Sequence, residues 1–121
     1  MAPGPARSFR DLLVWQKSHT LALLVYRTTA GFPRAEQFGL ASQMRRAAVS
    51  VPANIAEAFG RSTRPEKARL LNIAQGSLDE LRYYLVLSKD LGYSSAEGMA
   101  EAAEEVGRML DSYRRKVVSL D

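Results

Sequence analysis

The sequence predicts an all-α protein, a bundle of four helices, and three observations carry that prediction. Apolar residues alternate at spacings of three and four along three long stretches, every periodic segment has a period near 3.6 residues, and capping and turn residues separate the segments. At 121 residues the chain is one domain with a modest core, and a thin bundle of this size gains from self-association. Residues 1–8, MAPGPARS, offer neither periodicity nor burial and read as a disordered tail, leaving residues 9–121 as the helical domain.

The first helix is expected from about Leu13 to Thr29. Trp15, His19, Ala22 and Tyr26 form one stripe, with Leu21, Leu24, Val25 and Thr28 beside it, and Gly31, Phe32 and Pro33 end it. The second is expected from about Glu36 to Gly60. Leu40, Met44, Ala47, Val51, Asn54 and Ala58 make a narrow seam, and Gln43, Arg46, Ser50, Asn54, Glu57 and Arg61 a polar row. Pro52 lacks an N–H and crowds the carbonyl of Ala48, so the helix should kink there. It should not split, because the seam resumes at Asn54 and Ala58.

Thr63 and Glu66 form a capping box that opens the third helix, expected to run to Leu91. Its seam is Leu71, Ala74, Leu78, Leu81, Leu85 and Ser88, and Leu70, Ile73, Ser77, Tyr84, Leu87 and Leu91 make a second, largely apolar row. Two apolar rows mean either a central helix or a subunit interface built on Leu70, Ile73, Tyr84 and Leu87. Gly76, between Ala74 and Ser77, marks a place for close approach by another helix. Gly92 supplies a left-handed C-cap with Tyr93 placed to pack back on the last turn, and Ser94 with Glu97 caps the fourth helix, expected to reach about Val118. Met99, Ala103, Val106, Leu110, Tyr113, Val117 and Leu120 are its seam.

Several function classes drop out. The chain has no Cys and one His, so thiolate sites, paired Glu-x-x-His motifs and most imidazole metal sites are missing, and His19 reads as a packed residue at the core edge. No glycine loop follows a strand, and no nucleophile elbow or second histidine could activate a serine. A non-enzymatic protein without metal or cofactor is therefore expected. Lacking a membrane-length apolar run or a signal-peptide core, the chain is expected to be cytoplasmic and of bacterial type. Around Gly60, Ile55, Ala56 and Ser62 have helix-turn-helix spacing, but charged Glu66 and Arg69 occupy the positions where that unit needs apolar packing.

Charge divides unevenly. The net charge is +4 with a pI near 9.7. Residues 1–64 hold nine Lys or Arg against three Asp or Glu, and residues 65–121 hold eight against ten. A polyanion-binding face would draw mainly on the first half. Glu97, Glu101, Glu104 and Glu105 lie toward the start of the last helix and Arg114, Arg115 and Lys116 toward its end, as the helix dipole favours.

From Phe9 to about Lys116 the chain resembles the small four-helix-bundle proteins named for 23S rRNA intervening sequences, through FRDLLVWQKSH, VYRTTAGFPRAEQFGLASQMRRAAVSVPANIAEAFGR, IAQGSLDELRYYL and LGY in that order. Ala58 stands where that family usually has Gly after the Ala-Glu pair. The resemblance implies an up-down bundle assembling as a ring-like homopentamer and a nucleic-acid-linked role. It also implies kinship with the accessory proteins of diversity-generating retroelements, whose partner is a reverse transcriptase. The family has no established catalytic residues to carry over.

Together these readings nominate Arg45, Arg46, Arg61, Arg64 and Lys67 as a phosphate-facing surface that a ring would repeat. The alternative is that Arg61 pairs with Glu57 one turn away while Arg45 and Arg46 are solvated or bridge subunits. No aromatic stacking platform is evident in the sequence, so binding to RNA or DNA is expected to address the backbone and tolerate any sequence. Two classes stand: an oligomeric nucleic-acid-binding accessory, and a structural or protein-interaction scaffold.

Overall fold

A computed structural model of the chain describes residues 5–94 and 97–119. Those residues form four α-helices, α1 (Leu13–Thr29), α2 (Leu40–Phe59), α3 (Arg64–Asp90) and α4 (Glu97–Ser119), with 3-10 turns at Phe9–Asp11 and Arg34–Glu36 and no strand among them. Each helix packs on two others, α1 on α2 and α4, and α3 on α2 and α4, so the four close around one core. Neighbours run antiparallel. Ser50 meets Ser77 and Lys67 reaches Ala58 across α2 and α3, while Arg82 faces Glu104 across α3 and α4.

The seam of α3 lies where the period placed it, with Leu71, Ala74, Leu78, Leu81, Leu85 and Ser88 all buried. On α4, Met99, Ala103, Val106 and Leu110 are buried, and Tyr113 and Val117 pack against them. Leu120 and the Ser94–Glu97 capping box fall at least partly outside the described residues, as do residues 1–4 of the expected tail. Within that stretch, the backbone N–H groups of Arg7 and Ser8 donate to Asp11 Oδ2 at 2.9 and 3.2 Å.

Three expectations need correction. The core face of α1 is Val14, Ser18, Leu21, Ala22, Val25 and Thr29, while Tyr26 is 48% exposed. His19 also lies on the surface, stacked on Trp15 with ring centroids 5.0 Å apart. The buried hydroxyls are satisfied by their own helix, Ser18 Oγ donating to Trp15 O at 2.9 Å and Thr29 Oγ1 to Val25 O at 2.7 Å. Second, α2 begins at Leu40, four residues later than expected, because Gly39 breaks the backbone direction and the Glu36 carboxylate accepts from Leu40 N. It then continues unbroken through Pro52, and Ala48 and Ile55 join its buried seam while Asn54 turns to bond Ser50. Third, among the described residues no atom beyond Gly76's own stretch of helix lies within 4 Å of a Cβ built there, so no other described helix uses that gap. Close approach occurs at Gly107, where such a Cβ would meet Leu78 Cδ2 at 3.5 Å.

The caps of α3 follow its sequence in part, since only the Thr63 half of the expected capping box is seen. Thr63 Oγ1 accepts from Glu66 N at 3.3 Å. At the other end Gly92 adopts φ +80°, and Tyr93 N and Gly92 N return to Ser88 O and Lys89 O at 2.9 and 3.0 Å. The Tyr93 ring then leans on buried Phe32, 5.5 Å between centroids, and its hydroxyl donates to Glu36 Oε2 at 2.8 Å. This joins the end of α3 to the α1–α2 connection.

Surface ion pairs are exposed and contribute little. Lys17–Glu105 at 3.1 Å and Arg82–Glu104 at 3.8 Å tie α4 to its neighbours, with side chains about half exposed. Both Arg114 and Arg115 pair with Asp111 at 3.1 Å. Three phenols carry the clearer pH signature. Tyr84 and Tyr93 are raised above the ordinary 10.0 chiefly by hydrogen bonds to Glu80 and Glu36, and Tyr113 by burial. A raised folded value means that the stabilisation is complete below the unfolded value and is lost as pH rises through the folded one. Urea unfolding across a pH series should show stability declining above about pH 10, and Tyr93→Phe should soften that decline.

Candidate functional site

The five nominated basic residues do not form one cluster. Arg45 and Arg46 lie in the first half of α2, whereas Arg61 and Arg64 flank the α2–α3 turn and Lys67 sits in the first turns of α3. About 20 Å of helix axis separates the two groups. Four of the five have partners within the chain, Arg64 among them. Lys67 Nζ donates to Ala58 O and Phe59 O at 3.0 and 3.1 Å, closing the carbonyl end of α2. Arg61 pairs with Glu57 at 2.7 Å, as the alternative sequence reading held. Arg45 is half-buried, its Nε donating to Thr29 Oγ1 at 2.8 Å and its Nη2 to Gln37 Oε1 at 3.3 Å, with the guanidinium 5.4 Å from the centre of the Tyr26 ring.

Arg46 differs. It is exposed and makes no hydrogen bond or ion pair among the described residues. Arg64 is exposed as well but has contacts of its own.

Around Arg45 and Arg46 a groove of about 520 Å³ opens between the end of α1 and the first half of α2. Tyr26, Gln37, Phe38, Ser42, Arg45, Arg46, Val49 and Ser50 line it, with no carboxylate among them. Its floor is ordered by the side chain of Gln37, whose Nε2 donates to Thr29 O and Phe32 O at 3.0 and 3.1 Å while its Oε1 accepts from Arg45. Glu36 on one side of the turn is held by Tyr93, and Leu40 on the other enters the core. Phe38 therefore projects from a fixed turn into solvent, 99% exposed. Sequence reading missed it, because Phe38 lies off every helical stripe and its exposure depends on how the turn is pinned.

The residues proposed for self-association also part. Leu70 is 2% exposed and belongs to the core of the single chain, so it offers nothing to a partner. Ile73 is 42% exposed, and Tyr84 and Leu87 are partly buried against the core edge. Tyr83 and Val86, at 60% and 56% exposed, add apolar surface elsewhere on the outer side of α3. No helix of the described residues is long and apolar enough to cross a membrane, and no cluster of three or more His, Cys, Asp or Glu among them could hold a metal ion.

Comparisons with known proteins agree with this architecture. A protein of unknown function from the S23 ribosomal protein family of Bacteroides thetaiotaomicron, whose crystal structure is known, superposes with a TM-score of 0.80 at 25% identity, over 88% of this chain and 98% of that one. No curated protein matches. The family described as 23S rRNA-intervening sequence protein matches residues 10–112, most of the helical domain, and the chain belongs to that family.

Proposed function

We propose that the chain is a non-enzymatic nucleic-acid-binding accessory that works as a self-associated four-helix bundle. The observation that carries this reading is the groove between α1 and α2, where two guanidiniums stand together without a carboxylate in the half of the chain that holds nine basic against three acidic residues. Arg45 is preorganised by Thr29 and Gln37, and Arg46 beside it is exposed, within electrostatic reach of Tyr84 but without a hydrogen bond, so a phosphate would meet one fixed and one adaptable donor. Arg61, Arg64 and Lys67 would form a second, weaker basic site at the other end of α2.

Self-association rests on the exposed side of α3. Gly76 carries its helix-propensity cost of about 1 kcal/mol with no close approach by another helix among the described residues in return, and Ile73, Tyr84 and Leu87 lie on the same helix. A ring-like pentamer is the assembly the family resemblance favours, and a reverse transcriptase is the protein partner in its retroelement branch; α2 would bend at Pro52, which lacks an N–H and crowds the carbonyl of Ala48. Repetition matters physically, because a ring multiplies the charge of one groove by its number of subunits.

The scaffold reading has one specific observation in its favour: Arg45, Arg61 and Lys67 are bonded within the chain. Light scattering combined with fluorescence anisotropy separates the two. A mass above that of the monomer at micromolar concentration, together with binding of labelled RNA or DNA at low salt, is the expected result. An oligomer that binds neither leaves only the scaffold, and a monomer removes the assembly claim.

A further inference from the structure

Two aromatic rings flank the two guanidiniums in the α1–α2 groove, and this juxtaposition says more than charge alone. Phe38 is 99% exposed at the lip, and Tyr26 is 48% exposed on the α1 wall with Arg45 against its ring. An exposed phenylalanine on a mobile loop would mean little. Here the turn is pinned by Gln37 and by the Tyr93–Glu36 bond, so its backbone holds Phe38 at the lip of the groove that Arg46 also lines. The groove, about 520 Å³, is open to solvent along its length, as a site for an extended strand must be.

We propose that this groove takes an unpaired base of a single-stranded nucleic acid, which stacks on Phe38 while Arg46 and the spare donors of Arg45 hold the adjoining phosphate. The proposal rests on the nucleic-acid reading above and sharpens it, because base stacking selects single strands. In a duplex the bases already stack on each other, and their faces are closed to a side chain. The hydroxyl of Ser42 lines the same groove and can bond base edges without fixing a sequence, since a hydroxyl serves as donor or acceptor, whereas that of Ser50 is engaged by Ser77 and Asn54.

Charge disfavours a second copy as the symmetric occupant. Two such grooves placed face to face would bring two arginine pairs together with no lining carboxylate to offset them. An unpaired nucleotide supplies both things the groove lacks: an anion and a flat apolar face.

The test uses labelled oligouridylate and oligothymidylate of about 16 nucleotides and an RNA duplex of equal length, titrated by anisotropy against the full chain and three variants. Phe38→Ala should weaken binding of both single strands about tenfold, leave the duplex within about twofold, and not alter melting temperature, since the ring is wholly exposed. Phe38→Trp should restore single-strand affinity, and Arg46→Gln should weaken single strand and duplex alike. Equal loss on duplex and single strand in Phe38→Ala, or no loss on either, overturns the stacking proposal while leaving the nucleic-acid reading intact. A fall in oligomer mass in Phe38→Ala also overturns it, by assigning Phe38 to a protein contact. Absence of binding by the unaltered chain removes both.

Discussion

Replacing Leu78 with Ala should destabilise the chain by about 3 kcal/mol and lower its melting temperature by roughly 10–15 °C. Leu78 is fully buried at the middle of α3, the helix that packs on both α2 and α4. Its Cδ2 lies against the backbone of α4 at Gly107. Glycine has no side chain that could swing into the space left by the truncation, so the cavity persists and the cost falls well inside the usual Leu→Ala range. Chemical denaturation at fixed protein concentration measures it, because self-association would make the apparent stability depend on concentration. A loss below about 1 kcal/mol would mean that α3 and α4 slide together to fill the gap, and that the core is less rigid than its packing implies.

That central seam was fully legible, and the reason is chemical. Leu71, Ala74, Leu78, Leu81 and Leu85 are apolar residues at an unbroken alternation of three and four, so period and burial coincide. On α1 they do not coincide. Ser18 and Thr29 are polar in sequence yet buried, because each hydroxyl bonds a carbonyl one turn back, whereas Tyr26 is aromatic yet half-exposed because it covers Arg45. A reading that ranks residues by hydrophobicity alone rotates this helix by a fraction of a turn.

The candidate site was legible only in its charge. Arg45 and Arg46 are visible as adjacent cations, but the commitment of Arg45 depends on Thr29, sixteen residues earlier in the chain, and the tether that pins the Phe38 turn joins residues fifty-seven apart. Lys67 capping α2 requires the turn geometry that returns α3 beside α2, and no periodicity encodes it. By contrast, the Arg61–Glu57 pair was readable at once, since residues four apart on a helix are neighbours. Local pairs are written in the sequence, and the groove is made by its tertiary closure.

The largest effect on binding should come from salt. Each phosphate neutralised on a single strand adds about 0.7 to the slope of log affinity against log salt, so a strand touching four arginines should lose affinity about fiftyfold between 50 and 200 mM salt. Arg46→Gln removes one such contact per groove, and the slope should flatten by about 0.7 for every subunit the strand crosses. Arg46 is exposed and bonded to nothing among the described residues, so helicity and oligomer mass should not change. Arg64→Gln probes the opposite end of α2 and is read together with melting temperature, since Arg64 has contacts of its own. Arg61 is the poorer probe because its removal also releases Glu57. If the strand follows the groove, Arg46→Gln should carry the greater loss, Arg64→Gln a lesser one, and the double variant the sum, because the two ends are too far apart to couple. The reverse order would move the binding face to the α2–α3 turn and leave the groove without its phosphate.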